Sequence, residues 1–137
     1  EQMAVALAAC VDELPRDRLR YMMGVGMPDD LERATAAGVD LFDCVVPTRH
    51  GRNHTAFGPD GGALKLRNGE YAEDPNPLVD GCGCYACRTY SRAYLRHLAV
   101  ADEMLAGILL SIHNIHFLQD RMRAIRQRAE GREPTTR

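Results

Sequence analysis

Apolar and polar positions alternate along this chain in a pattern that changes character three times. Met3, Val5, Ala6, Leu7 and Cys10 recur at helical spacing, with Asp12 and Glu13 near the polar end, so a helix is predicted from Met3 to Leu14, stopped by Pro15. Leu19 to Val25 is a short, mostly apolar run that reads as a buried strand, followed by a tight turn at Gly24-Val25-Gly26. Pro28-Asp29-Asp30 opens a second helix over Leu31 to Ala37. Proline suits a first turn, aspartates favour the positive helix end, and Gly38 is a natural C-cap. Val39 to Val46 is a second apolar run, interrupted by Asp43 and terminated by Pro47. Strand, glycine turn, helix, glycine, strand is a βαβ pattern.

The texture changes from Gly51 to Asp80. Phe57 and Leu64-Lys65-Leu66 flank Gly58-Pro59-Asp60-Gly61-Gly62, which predicts a β-hairpin, and Pro75-Asn76-Pro77 marks a loop. Beyond it, Ser91 is placed to cap a helix through Leu105. Gly107 is expected to break or bend the run, and a last helix is predicted from about Ile108 to Ala129. Two parallel strands cannot stand alone, and an eight-fold β/α barrel takes ~250 residues. A chain of 137 residues could supply only its last units. With Glu1 in place of a starting methionine, this leads to the expectation of a piece of a larger protein.

Composition narrows the class. Hydrophobic residues are 45% and charged residues 26%, ordinary for a globular protein, and no apolar run approaches the ~18 residues that span a bilayer. The net charge of −2 does not advertise a nucleic-acid partner, but its distribution does more. Lys65 is the sole lysine. Arg49 and Arg52 fall in what reads as one short loop, and the stretch from Arg121 to Arg137 is strongly basic, read here as a solvated helix face. Arginine pairs with phosphate in a fixed fork and stacks on bases, so a local patch can bind RNA on an acidic chain.

Five cysteines, an odd number, with three of them clustered, argue against a disulfide framework and for a reducing, cytoplasmic setting and a metal. Cys82-x-Cys84-x2-Cys87 places three thiols within six residues. Zinc takes tetrahedral sulfur and nitrogen ligands, so a fourth is needed. Among His97, His113 and His116, His113 lies on the apolar Ile108–Leu118 stretch, where a buried imidazole needs a partner, whereas His97 sits beside Arg96 on a helix that can face solvent. The predicted ligands are Cys82, Cys84, Cys87 and His113. Four filled positions make the zinc structural, pinning Gly51–Arg88 to the C-terminal helix.

Several motifs then agree. Tyr21-Met22-Met23-Gly24-Val25-Gly26, Phe42-Asp43-Cys44-Val45-Val46-Pro47-Thr48-Arg49, Cys82-Gly83-Cys84-Tyr85-Ala86-Cys87, Ser91-Arg92-Ala93-Tyr94-Leu95 and Ile112-His113-Asn114 resemble, in order and spacing, the tRNA-guanine transglycosylases of bacterial type. The resemblance runs from about Arg20 to Arg128. It implies the C-terminal part of a (β/α)8 TIM barrel with an inserted zinc-binding subdomain: residues 1–50 as the last βα units, 51–90 as hairpin and zinc insert, and 91–137 as the closing helices. It implies exchange of the wobble guanine of tRNAs with a GUN-type anticodon for a 7-deazaguanine precursor of queuosine. Asp43 then corresponds to the nucleophile, and the zinc ligands map to the same four residues chosen from spacing.

The chemistry suits a carboxylate. Displacing a base from ribose builds positive charge on C1′, which a carboxylate opposite the leaving base can stabilise and bond. The target guanine must be splayed out of the anticodon loop. By the same resemblance, Met23 and Gly24 would lie beside the bound base. Gly24, Val25, Gly26, Met27, Pro28, Asp29 and Asp30 would form one RNA-contacting loop, and Thr48, Arg49, His50, Gly51 and Arg52 another. The family forms homodimers, so a second copy is an implied partner. Met27 stands where lysine is usual, and His50-Gly51-Arg52-Asn53-His54 where the family usually reads Asn-Ala-Arg-Asn-Gly. These departures bear on tRNA recognition. The family's proton-handling aspartate and most base-binding residues have no counterpart here, which leaves open a non-catalytic, zinc-stabilised tRNA-binding or dimerisation module of the same family.

Overall fold

The computed structural model describes residues 2–131, so Glu1 and positions 132–137, including the end of the arginine-rich run, lie outside the described residues. The chain forms two compact units. One comprises the chain up to Val45 with the stretch from Arg121 onward, and the other is Val46–Asp120.

The first unit is a strand–helix–strand crossover preceded by helix α1 (Gln2–Glu13). Strands β1 (Tyr21–Met23) and β2 (Leu41–Asp43) pair in parallel, with Tyr21 opposite Leu41, Met22 opposite Phe42 and Met23 opposite Asp43. Helix α2 (Pro28–Ala36) connects them, as a parallel pair requires. It begins as read, with Pro28 in its first turn and Asp29 and Asp30 at its positive end, and it ends into Gly38 at φ +99°, a left-handed conformation that glycine adopts without penalty. The amides of Gly38 and Val39 satisfy the carbonyls of Thr35 and Ala34. Both strands are shorter than the apolar runs suggested. Gly24 turns the chain at φ +80° directly after β1, and a helix begins at Val46 soon after β2.

Alternation along each strand puts Met22 and Phe42 against Val11, Ala34 and Val39. It leaves Tyr21, Met23, Leu41 and Asp43 exposed on the opposite face. Helix α1 buries Val11 and leans Leu7 on the same cluster, an i, i+4 pair, so Val5 and Cys10 point outward, contrary to expectation. The side chain of Met3, another of the expected apolar positions, lies outside the described residues.

The second unit opens with helix α3 (Val46–Arg52). Pro47 is its second residue rather than a terminator, because the first turn of a helix loses nothing by lacking an N–H there. Arg49 and Arg52 therefore stand on a helix, not in a loop. The predicted hairpin follows: β3 (Thr55–Phe57) pairs antiparallel with β4 (Ala63–Lys65), and the turn is closed by Gly58 N–H to Gly62 O and Gly62 N–H to Asp60 Oδ1. The Pro75–Pro77 loop is held by Arg92, which donates to Asp74 Oδ2 at 3.0 Å and to the Leu78 carbonyl at 2.9 Å.

Helix α4 (Tyr85–Thr89) lies inside the cysteine motif, and α5 (Arg92–Val100) is capped by Ser91, whose Oγ accepts the Tyr94 N–H at 3.2 Å. The expected break at Gly107 occurs earlier: α5 ends at Val100, Asp102 turns the chain at φ +58°, and α6 (Met104–Ala129) runs straight through Gly107. Glycine serves close approach there. A Cβ at Gly107 would lie 3.6 Å from Arg52 Cα, and one at Gly51 would lie 2.7 Å from the Ser111 amide nitrogen. The core of this unit is Leu66, Leu78, Leu95, Leu98, Leu109 and Leu110, with Ala56, Ala86, Ala99 and Ala106 between them. Among the described residues no helix is long and apolar enough to cross a membrane.

Candidate functional site

The three cysteines and His113 converge. The Sγ atoms of Cys82, Cys84 and Cys87 lie 3.9, 3.5 and 3.3 Å from His113 Nδ1, and all four ligand atoms fall within 4.8 Å of one another. A tetrahedral ion with sulfurs at ~2.3 Å and nitrogen at ~2.0 Å requires edges of roughly 3.5 to 3.8 Å. The three sulfur–nitrogen distances bracket that range, so the cluster has the size and donor set of a metal site. The other two histidines go elsewhere: His97 is exposed, and His116 pairs with Asp120 at 2.9 Å.

Local structure explains the convergence. Cys84 caps α4 and its sulfur accepts the Cys87 N–H at 3.3 Å, so the helix turns the second and third thiols inward together. His113 is fully buried on α6, and its Nε2 lies 2.9 Å from the Phe57 carbonyl of β3. A carbonyl only accepts, so Nε2 carries the proton and Nδ1 presents its lone pair to the cluster. The next residue completes the anchor. Asn114, also fully buried, accepts the Phe57 N–H at 2.9 Å and donates to the carbonyls of Pro47 and Thr55, each at 3.0 Å.

The three thiols perturb one another. Hydrogen bonding from Cys87, more than any other influence, pushes the Cys84 thiol far below its ordinary range, with the His113 ring and the Cys87 amide adding to it. That same bond pushes Cys87 up, and burial pushes Cys82 up. Three thiolates in so small a volume require a bound positive charge.

A second arrangement lies in the first unit. Asp43 ends β2 with an exposed carboxylate whose partners are neutral donors. The Tyr21 hydroxyl donates to Oδ1 at 2.6 Å, and the Gly24 N–H donates to the same oxygen at 3.0 Å. Tyr21 opposes Leu41, two residues before Asp43, so the pair is a diagonal neighbour on one sheet face, within reach of an aromatic side chain. The Tyr21 bond, then the Gly24 amide, hold the Asp43 carboxyl below the usual carboxylate range, and the same bond pushes the Tyr21 phenol up. Behind this turn Gly26 packs on Cys44, so tightly that a Cβ at Gly26 would overlap the Cys44 sulfur.

The remaining residues singled out from sequence fall in two sets. Met23 and Gly24 are exposed at the end of β1. Val25 is half-buried, Gly26 and Pro28 are buried, Met27 and Asp29 are exposed, and Asp30 is half-buried at the head of α2. In the second unit, Arg49 and Arg52 project to solvent from α3, Thr48 and His50 are half-buried, and Gly51 is buried against Ser111. Tyr21, the Phe57 carbonyl and Asn114 were not assigned roles from the sequence. Tyr21 was legible, because it shares a strand face with Asp43.

Comparison with known proteins bears on both arrangements. The family model described as Queuine tRNA-ribosyltransferase matches residues 1–133. The chain is 57% identical over 83% of its length to the queuine tRNA-ribosyltransferase of Sphingopyxis alaskensis, covering 30% of that protein. It is 56% identical over 87% of its length to that of Thermus thermophilus, and 54% over 92% to that of Symbiobacterium thermophilum, covering 31% of each. It thus spans about a third of the length of these relatives. A match across both units, carried at more than half identity, means that the chain belongs to the queuine tRNA-ribosyltransferase family.

Proposed function

We propose that this chain supplies the nucleophile and a structural zinc site of a tRNA-guanine transglycosylase. Its two parallel strands and crossover helix form the closing βα units of a (β/α)8 barrel, its hairpin and cysteine knuckle the inserted subdomain, and its last helices the closure. The ion in the Cys82, Cys84, Cys87 and His113 cluster is zinc, since a three-sulfur, one-nitrogen tetrahedron is a zinc donor set with no position left for substrate. It supplies rigidity and no chemistry.

Asp43 carries the reaction. The observation behind this reading is an exposed carboxylate at the C-terminal end of a parallel strand, where barrels of this class place their reacting groups, held ionised by neutral donors rather than sealed in an ion pair. The Asp43 carboxylate attacks C1′ of the wobble nucleoside, the guanine leaves, and a 7-deazaguanine base displaces the carboxylate from the same carbon. Met23 and Gly24 flank the base. Gly24 to Asp30 and Thr48 to Arg52 contact the anticodon loop, with Arg49 and Arg52 meeting phosphate or base edges. The substrate is a cytoplasmic tRNA with a GUN anticodon, and the enzyme works as a homodimer.

The test uses the protein as its gene encodes it, with labelled guanine and a GUN-anticodon tRNA. Asp43→Ala is expected to abolish guanine incorporation and the covalent protein–tRNA adduct while tRNA still binds. Unchanged incorporation would remove Asp43 from the mechanism. Binding with neither adduct nor incorporation in the unaltered protein would favour the non-catalytic module.

A further inference from the structure

We propose that Tyr21 is a positioning residue that holds Asp43 as a leaving group, so that the covalent intermediate is released rather than stored. The inference rests on the reading of Asp43 as nucleophile and goes on to assign its two oxygens and the residue that governs the second half of the exchange.

The geometry separates the oxygens. Both the Tyr21 hydroxyl at 2.6 Å and the Gly24 amide at 3.0 Å end on Oδ1. An oxygen engaged by two donors is the poorer nucleophile, so Oδ2 is the atom that bonds C1′. In the first half-reaction the Oδ2–C1′ bond forms as the C1′–N9 bond breaks, and guanine departs with the bonding pair and takes a proton from solvent. Oδ1 is then the carbonyl oxygen of an ester. In the second half, the nitrogen of the incoming base loses its proton to solvent and bonds C1′, and the Oδ2–C1′ bond breaks with its pair returning to the carboxylate.

Donors on Oδ1 act unequally on these states. A hydrogen bond to a carboxylate is charge-assisted and about twice as strong as one to a neutral carbonyl. Tyr21 and Gly24 therefore stabilise the free carboxylate more than the ester, and they meet the negative charge that returns to Oδ1 as the ester breaks. This is the logic of an oxyanion hole applied to the protein's own side chain. Beside the free carboxylate the phenol keeps its proton, since its bond to Asp43 pushes its pKa up. It acts as a fixed donor and not as a general acid.

Packing does not require the contact. Tyr21 and Asp43 both stand on the exposed face of the sheet, while the core of this unit lies on the other side, around Val11, Ala34 and Val39. Each group could be solvated separately. A 2.6 Å bond between two exposed groups instead presets the carboxylate before substrate arrives.

The experiment mixes the protein as its gene encodes it with a GUN-anticodon tRNA and a fixed, limiting concentration of guanine. It quenches with acid, counts covalent adduct on a denaturing gel, and then chases with excess guanine. Tyr21→Phe is expected to raise the adduct equilibrium constant roughly fivefold and to slow the chase by a similar factor, with tRNA affinity unchanged. Uniform replacement of tyrosine by 3-fluorotyrosine, a more acidic phenol, is expected to lower the adduct and speed the chase, which tests the idea even if Tyr21→Phe folds poorly. An unchanged adduct and chase in both proteins, or less adduct in Tyr21→Phe, overturns the role of Tyr21 and leaves Asp43 as nucleophile. No adduct in the unaltered protein overturns both.

Discussion

The two compact units solve the same folding problem differently. Val46–Asp120 buries six leucines and four alanines beside a candidate metal cluster, and its two fully buried polar side chains are both hydrogen-bonded: His113 to Phe57, and Asn114 to Phe57, Pro47 and Thr55. The other unit buries one face of a two-stranded sheet against Val11, Ala34 and Val39 and leaves the opposite face open, with Asp43 on it. The difference teaches that a dense, hydrogen-bonded interior and an open sheet face belong to different units. The closed unit is ordered by apolar packing and buried hydrogen bonds. The open one keeps a carboxylate accessible and orders it with only two donors.

Removing the metal should break the comparison most severely. Structural zinc contributes an apparent ~10–16 kcal/mol in small domains, so a strong chelator should unfold the knuckle and hairpin. Residue-resolved hydrogen exchange is expected to show lost protection at Thr55–Phe57 and Cys87. Protection at Met22 and Phe42 that fell first would show that the metal is not what orders the second unit. Asn114→Ala comes next. It strands two carbonyls and one amide in a dry interior, which should destabilise the protein by roughly 3–5 kcal/mol in urea unfolding.

In the open unit the effects are smaller. Gly26→Ala forces a methyl into the Cys44 sulfur and should destabilise by about 1–3 kcal/mol, with Cys44→Ala restoring part of the loss in the double variant. The gentlest test is pH. Asp43 has its folded pKa below the ordinary carboxyl value of ~3.9, so its contribution is complete above that value and is lost only as pH falls through the lower folded pKa. Adduct formation should therefore persist at pH 4, and Tyr21→Phe should move its acid limb upward. A limb that stays put would mean that the phenol does not reach the carboxylate in solution.

Much of this was legible in the sequence, for local reasons. The hairpin declared itself through Gly58-Pro59-Asp60-Gly61-Gly62, because tight turns admit few residues. The candidate metal ligands declared themselves because three thiols within six residues leave few alternatives, and an apolar helix gives a histidine nothing else to do. What failed depended on partners distant in sequence. Pro47 read as a stop because its helix-starting role shows only once α3 has been laid against α6. Gly107 read as a break because the backbone of Arg52, which needs the space, is far away in the chain. The turn went instead to Asp102, an unobtrusive residue at φ +58°. Val11 rather than Cys10 faces the core because the position of α2 decides which side of α1 is covered.

The order of the metal ligands along the chain has a consequence for biosynthesis. A ribosome delivers Cys82, Cys84 and Cys87, respectively, 31, 29 and 26 residues before His113. The three cysteines would supply three of the four metal ligands before α6 has been made, and His113 would add the fourth. The centre would then be complete only on a chain long enough to include α6.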